Sequence, residues 1–230
     1  MKIVMIHGQN HKGSTYHIAN ITANKIGGEI TEFFLPADFG EFCVGCTTCF
    51  SQSEEKCPHC EKLQPILKAM DKAELIILAS PVYVYHASGS MKAFLDHLGY
   101  RWIVHRPAEE MFSKQGLAIS TAAGAGTKST NKDMLDSLFF WGVAKRYSYG
   151  KNIAAVNWNS IDQKKKDEIE RETDRLAKKI LRDSKNVKPG IKTKGFFHIM
   201  RMLQKKVWSS EPDVKYWKEK GWSDSERPWK

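Results

Sequence analysis

Five short apolar runs, at residues 2–7, 29–35, 75–80, 115–121 and 144–149, punctuate the first 150 residues of the chain. Stretches with helical spacing lie between them, and this alternation predicts βαβ units wound into a parallel sheet of an α/β fold. The spacing predicts a helix over 14–26 that stops at Gly27 and Gly28. A second is predicted over 61–73, with Leu63, Ile66, Leu67 and Met70 on one face, and a third over 90–98, ahead of Gly99. A long charged helix over 160–184 carries Ile161, Ile169, Leu176, Ile180 and Leu181 as its apolar stripe and is expected to cover the last strand. The α/β domain is therefore expected to span 1–184.

The run Lys185-Asn186-Val187-Lys188-Pro189-Gly190 breaks the pattern, and residues 185–230 form a separate extension. It holds an amphipathic stretch over 196–208, then a polar arm containing Trp217, Trp222 and Trp229. Phe196, Phe197, Met200, Met202, Trp208, Trp217 and Trp222 would together make a larger apolar patch than a monomer usually leaves bare. The expectation is a homo-oligomer, with the arm exchanged between subunits and helping to cover a neighbour's ligand site.

The formal charge is +10, yet residues 1–150 hold 15 basic against 14 acidic side chains, and 151–230 hold 21 against 12. The α/β core is thus close to neutral. Lys205, Lys206, Trp208, Lys215, Trp217 and Lys218 interleave charge with aromatics, as a nucleic-acid surface does. With no nucleic-acid motif present, a solvated helix face beside tryptophans at a subunit interface explains them better. No run of eighteen apolar residues occurs, and Met1-Lys2 leads straight into a strand, so the expected setting is cytoplasmic, without a membrane span.

In open α/β sheets, ligands bind outside the carboxyl ends of the strands. The first such loop offers Gln9, Asn10, Lys12, Gly13, Ser14 and Thr15 at the start of a helix, where backbone N–H groups, hydroxyls and a lysine suit a phosphate. An ordinary turn capped by Ser14 explains the same residues. After the third strand, Pro81, Val82, Tyr83, Val84 and Tyr85 place two tyrosines where loops are usually polar. A flat aromatic ligand accounts for them, as does simple plugging of the sheet edge. The fourth loop, with Thr121, Ala122, Ala123, Gly124 and Gly126, is small enough for backbone to approach a ring, and it completes neither a dinucleotide fingerprint nor a Walker A loop. His86 and His105 are expected to be structural or solvent-facing.

Taken in order, these loops resemble the flavodoxin-like NAD(P)H-dependent FMN reductases, including the branch of iron–sulfur flavoproteins. Lys12, Gly13, Ser14 and Thr15 match the end of that family's G-S-P-R-K-G-S-T loop, whereas Gln9, Asn10 and His11 depart from it. Ser80, Pro81, Tyr83, Lys92, Phe94 and Asp96 meet its second signature, with His97 in place of an arginine. The resemblance covers roughly the first 150 residues. It implies a flavodoxin-like, doubly wound five-stranded parallel sheet with FMN at the three loops, its phosphate on Ser14 and Thr15. It also implies electrons taken from NAD(P)H and passed to a small-molecule or protein acceptor. A flavodoxin-type electron carrier without its own substrate is the alternative.

All five cysteines fall within eighteen residues, and the odd count favours metal or redox chemistry over disulfides. Cys43, Cys46, Cys49 and Cys57 read C-x2-C-x2-C-x7-C, which resembles the four-iron cluster motif of the iron–sulfur flavoproteins. Zinc on Cys46, Cys49, Cys57 and Cys60, with His59 as a substitute ligand, is a second reading, and unliganded thiols a third.

Overall fold

Strands covered on both faces must be apolar along their whole length, and this requirement explains how the central runs are used. The computed structural model describes residues 1–204 and 209–229. Among them one sheet forms from β1 (Lys2–His7), β2 (Glu29–Phe34), β3 (Leu75–Tyr83), β4 (His86–Ala87), β5 (Gln115–Ala122) and β6 (Lys145–Asn152). The five long strands run parallel in the order β2-β1-β3-β5-β6, and β4 folds back antiparallel on β3. The expected five-stranded parallel sheet is present, with a two-residue strand added. Eight α-helices accompany it among the described residues: α1 (Ser14–Ile26), α2 (Thr48–Ser51), α3 (Cys60–Lys72), α4 (Gly89–Asp96), α5 (Thr127–Phe140), α6 (Gln163–Ser184), α7 (Ile191–Gln204) and α8 (Glu211–Glu219).

Alternate residues of one strand feed opposite faces. Val4, Ile6, Ile76 and Leu78 pack with α3, α4 and α5 on one side. Ile3, Met5, Leu75 and Ile77 pack with α1 and α6 on the other. Each fully buried aliphatic side chain contributes about 1.5–3 kcal/mol, so the two layers hold the strand ends where the functional loops leave.

Several elements differ from expectation, for identifiable reasons. The helix α5 has no counterpart in the apolar periodicity because its first half, Thr127-Lys128-Ser129-Thr130-Asn131, is polar. It buries Thr130 and Asn131 together with Met134 and Leu138. In the long helix, Ile161 precedes the Asp162 cap and Leu181 is exposed; the buried stripe is Ile169, Thr173, Ala177 and Ile180. β6 runs three residues past its expected end because Gly150, Lys151 and Asn152 keep pairing with Ser120, Thr121 and Ala122. Glu168 and Glu172, each 2.8 Å from the Lys151 ammonium, make that charge tolerable in a strand.

The largest correction concerns the extension. Phe197, Trp217 and Trp222 form a third core with Ile103 and Phe112 of the same chain, and Trp229 packs against it. The arm is folded back on its own domain, so the apolar patch that motivated exchange between subunits is largely covered. Its polar segment also forms a helix, α8. Ile191, Ile199, Met202 and Leu203 of α7 stay exposed. The expected helix over 196–208 is observed to Gln204; Lys205, Lys206 and Trp208 lie outside the described residues. No described helix is long and apolar enough to cross a membrane.

Candidate functional site

The first loop leaves β1 at Gly8, whose N–H donates to the Ala79 carbonyl at 2.7 Å. Ser88 Oγ donates to the Gly8 carbonyl at 2.5 Å, and the Ser88 N–H donates to Ser80 Oγ at 2.9 Å. A Cβ at position 8 would lie 2.7 Å from Ser88 Oγ, so glycine is what allows the first and third loops to lock together. The N-cap of α1 is Gly13, not Ser14, and no side chain caps the helix. Ser14 and Thr15 begin the helix at the cleft wall, where first-turn N–H groups carry partial positive charge.

A cleft of about 280 Å³ opens beyond these strand ends. Of the expected site residues, Gln9, Gly13, Ser14 and Thr15 line it from the first loop, and Pro81, Val82 and Tyr83 from the third. Thr121, Ala122 and Ala123 line it from the fourth. The tyrosines do not plug the sheet edge: Tyr83 is 49% exposed and donates to Gln9 Oε1 at 3.2 Å, and Tyr85 is 65% exposed. Thr15 Oγ1 and Thr121 Oγ1 lie 2.6 Å apart and buried, tying the first and fourth loops together.

Other expected residues lie outside that cleft. Asn10 is exposed, and the Lys12 ammonium sits 5.1 Å over the Tyr16 ring. Val84 and Tyr85 form the tip of the β3–β4 hairpin with left-handed φ values of 49° and 66°. That conformation is costly for a β-branched residue, and Val84 is 93% exposed. Gly124 accepts from the Asn152 side chain, and Gly126, at φ 100°, caps α5 against Val82 and Tyr85. His11, Ile153, Ala155 and Val156 line the cleft without having been expected. The last three follow β6, where Ile153-Ala154-Ala155-Val156 carries none of the glycine or hydroxyl signals of a ligand loop.

The cysteines occupy the neighbouring edge, after β2. Cys43, Cys46, Cys49 and Cys57 line one cavity together with His59, His97 and Asp96. Cys60 does not line it; its Sγ takes a 3.5 Å contact from Gln64 inside α3. The zinc partition therefore loses Cys60 as a ligand, while its substitute His59 lines the cavity. Burial raises the Cys49 thiol pKa, and the nearby Cys57, Cys43 and Cys46 raise it further. The Thr48 hydroxyl lowers that of Cys46. All five thiols are free of disulfides.

A second grouping overlaps the first. Cys57, His59 and His97 place one potential ligand atom each within 4.8 Å of one another. His97 Nδ1 lies 2.7 Å from the Ala93 carbonyl, which makes Nδ1 the donor and leaves Nε2 as a lone pair facing His59 Nδ1 at 2.9 Å. Of the other histidines, His86 pairs with Asp133 at 3.0 Å on the surface, and His105 with Asp213 at 2.8 Å.

Comparison with known proteins accords with this geometry. An iron–sulfur flavoprotein of Archaeoglobus fulgidus is 26% identical over 146 residues, or 62% of this chain, and the match spans 63% of that relative's length. One from Methanocaldococcus jannaschii is 24% identical over 190 residues, covering 79% of this chain and 93% of the relative. Among solved structures, a flavone reductase superposes with a TM-score of 0.60 at 16% identity, covering 83% of this chain and 66% of the other. An FMN-dependent NADH-azoreductase from Bacillus anthracis, in complex with FMN, gives 0.56 at 14% identity, covering 77% of this chain and all of the other. These likenesses confirm the fold. The sequence profile described as NADPH-dependent FMN reductase matches residues 1–155, two thirds of the chain. On that match, the chain belongs to the NADPH-dependent FMN reductase family.

Proposed function

We propose that this protein is an FMN-dependent oxidoreductase that takes electrons from NAD(P)H and passes them singly to an acceptor through a four-iron cluster. The observation that carries the cluster is the convergence of Cys43, Cys46, Cys49 and Cys57 on one cavity that excludes Cys60. Three thiols on one short loop with a fourth from further along suit the corners of a cuboidal cluster.

The first-turn N–H groups of α1 and the Ser14 hydroxyl are offered to the FMN phosphate. The Pro81 to Tyr83 and Thr121 to Ala123 segments are offered to the edge and face of the flavin ring. When bound, FMN supplies hydride acceptance from a nicotinamide and onward transfer one electron at a time, so no acid/base pair is required of the protein. The chain's part is to orient the ring, with Gln9 holding Tyr83 and Thr15 holding Thr121. Five free thiols fit a reducing cytoplasm.

The test is anaerobic purification followed by visible spectroscopy and by iron, sulfide and FMN analysis. One FMN and four iron per chain support the reading; flavin bands without iron or sulfide refute the cluster. Steady-state oxidation of NADPH separates an enzyme from an electron carrier. The Cys57, His59 and His97 convergence favours a second reading, a single divalent metal ion at that site. Zinc without sulfide, lost on His59→Ala, would establish it.

A further inference from the structure

The cysteine loop has little internal structure to fix it. Residues 40–47 form no regular element, α2 has only four residues, and Cys43 and Cys46 are exposed. Its attachment comes from elsewhere in the chain. The Phe50 ring packs on His105 at 4.7 Å and closes against Gly99, where a Cβ would lie 3.2 Å from Phe50 Cζ. Arg106 Nη2 donates to the Cys49 carbonyl and to Glu54 Oε2, the latter at 3.2 Å. One guanidinium thus grips the loop at the third cysteine and again within the stretch that separates it from the fourth.

The segment that carries this arginine is itself held by the C-terminal extension. Arg106 Nη1 donates to Asp213 Oδ1, while Asp213 Oδ2 pairs with His105 Nδ1 at 2.8 Å. Tyr216 and Trp217 donate to the Pro107 and His105 carbonyls, each at 2.6 Å, and Gln204 donates to the Val104 carbonyl at 2.5 Å. Asp213 is 2% exposed and Arg106 8%. A buried guanidinium whose main counter-charge is removed must re-pair with water or with Glu54, and either change gives up the geometry that holds Nη1 on Asp213 and Nη2 on the Cys49 carbonyl together.

We propose that Asp213, acting through Arg106, is a positioning residue for the cysteine loop, so that the extension completes the metal site although it contributes none of its thiols. In its bearing on metal this inference rests on the cluster reading above; in its bearing on the loop it does not. Outer contacts of this kind orient ligands and govern how well a metal is retained.

The test uses the full chain and two variants. Asp213→Asn removes the counter-charge. Arg106→Lys keeps a cation beside Asp213 but cannot reach Asp213 and Cys49 together, so it loosens the loop even if Asp213→Asn fails to fold. The expected result in iron-free protein is amide exchange over residues 47–57 and thiol labelling of Cys49 at least about tenfold faster than in the wild type. Exchange over residues 14–26 and FMN affinity should stay unchanged. After anaerobic reconstitution with iron and sulfide, the variants should hold severalfold less iron per FMN. Wild-type exchange and Cys49 labelling in Arg106→Lys would overturn the proposal. A wild-type protein that takes up no iron would refute the cluster instead, with exchange and labelling still deciding the role of Asp213.

Discussion

Thr15 serves the fold before it serves a ligand. Its hydroxyl is committed to Thr121 at 2.6 Å in a buried position, whereas Ser14 beside it has no such partner and remains partly exposed. Ser14→Ala is therefore expected to weaken FMN about tenfold while leaving riboflavin unchanged, because a bond to a charged phosphate is worth about 1.5–3 kcal/mol; flavin fluorescence titration checks both. Thr15→Val strands the Thr121 hydroxyl and should cost about 1–3 kcal/mol in urea unfolding. Gly8→Ala forces a methyl against Ser88 Oγ and should cost a similar amount, about 1–3 kcal/mol, measured the same way. Burial holds the His7 imidazole below its ordinary pKa despite the Glu32 carboxylate 3.0 Å away. As pH falls below about 6.5 the unfolded chain takes up a proton that folded His7 refuses, so stability is present above that value and is lost toward acid. His7→Asn should flatten that slope in unfolding curves recorded between about pH 7 and pH 5.

At the scale of elements, the C-terminal helices act as a lid on the main domain rather than as an independent arm. Ile103 and Phe112 are fully buried, and what covers them is Phe197, Trp217 and Trp222. Deleting residues 186–230 is therefore expected to expose these aromatic contacts and to lower the thermal midpoint sharply, rather than to leave a folded core of reduced oligomeric mass. Trp217→Ala alone should cost about 3–5 kcal/mol in denaturant unfolding, since the ring stacks on Phe197 at 4.8 Å and its N–H is satisfied by the His105 carbonyl.

For the whole molecule, exposed apolar side chains gather on the loops beyond the carboxyl edge of the sheet. Phe42 and Val44 lie there after β2, Tyr83, Val84 and Tyr85 at the end of β3, and Val156 after β6. Surface of that kind beside a ligand cleft is more readily covered by another subunit than left to water. We therefore expect a homodimer, with sedimentation giving twice the 26.2 kDa chain mass and Val84→Asp with Val156→Asp shifting it toward monomer. An unchanged mass in that double variant places any subunit contact elsewhere, with the exposed residues of α7 next to be tested.

The amino-acid sequence by itself determined the parallel sheet, the succession of its five long strands, and three of the loops that meet at its carboxyl edge. Those features depend on local periodicity, on glycines and on β-branched runs, all of which are written within a few residues of where they act. The cysteine spacing left Cys43, Cys46, Cys49 and Cys57 as one of two possible ligand sets beside unliganded thiols, and these four line one cavity that Cys60 does not. Only the tertiary structure decided that α5 is a helix in spite of its polar start, because burial against the sheet outweighs weak propensity. It also decided that Ile153, Ala155 and Val156 reach the cleft, and that Trp217 and Trp222 are interior residues of their own chain. The link from Asp213 through Arg106 to Cys49 joins positions more than a hundred residues apart. Such a link leaves no local pattern, because an ion pair between distant residues is specified only by the path the folded chain takes between them.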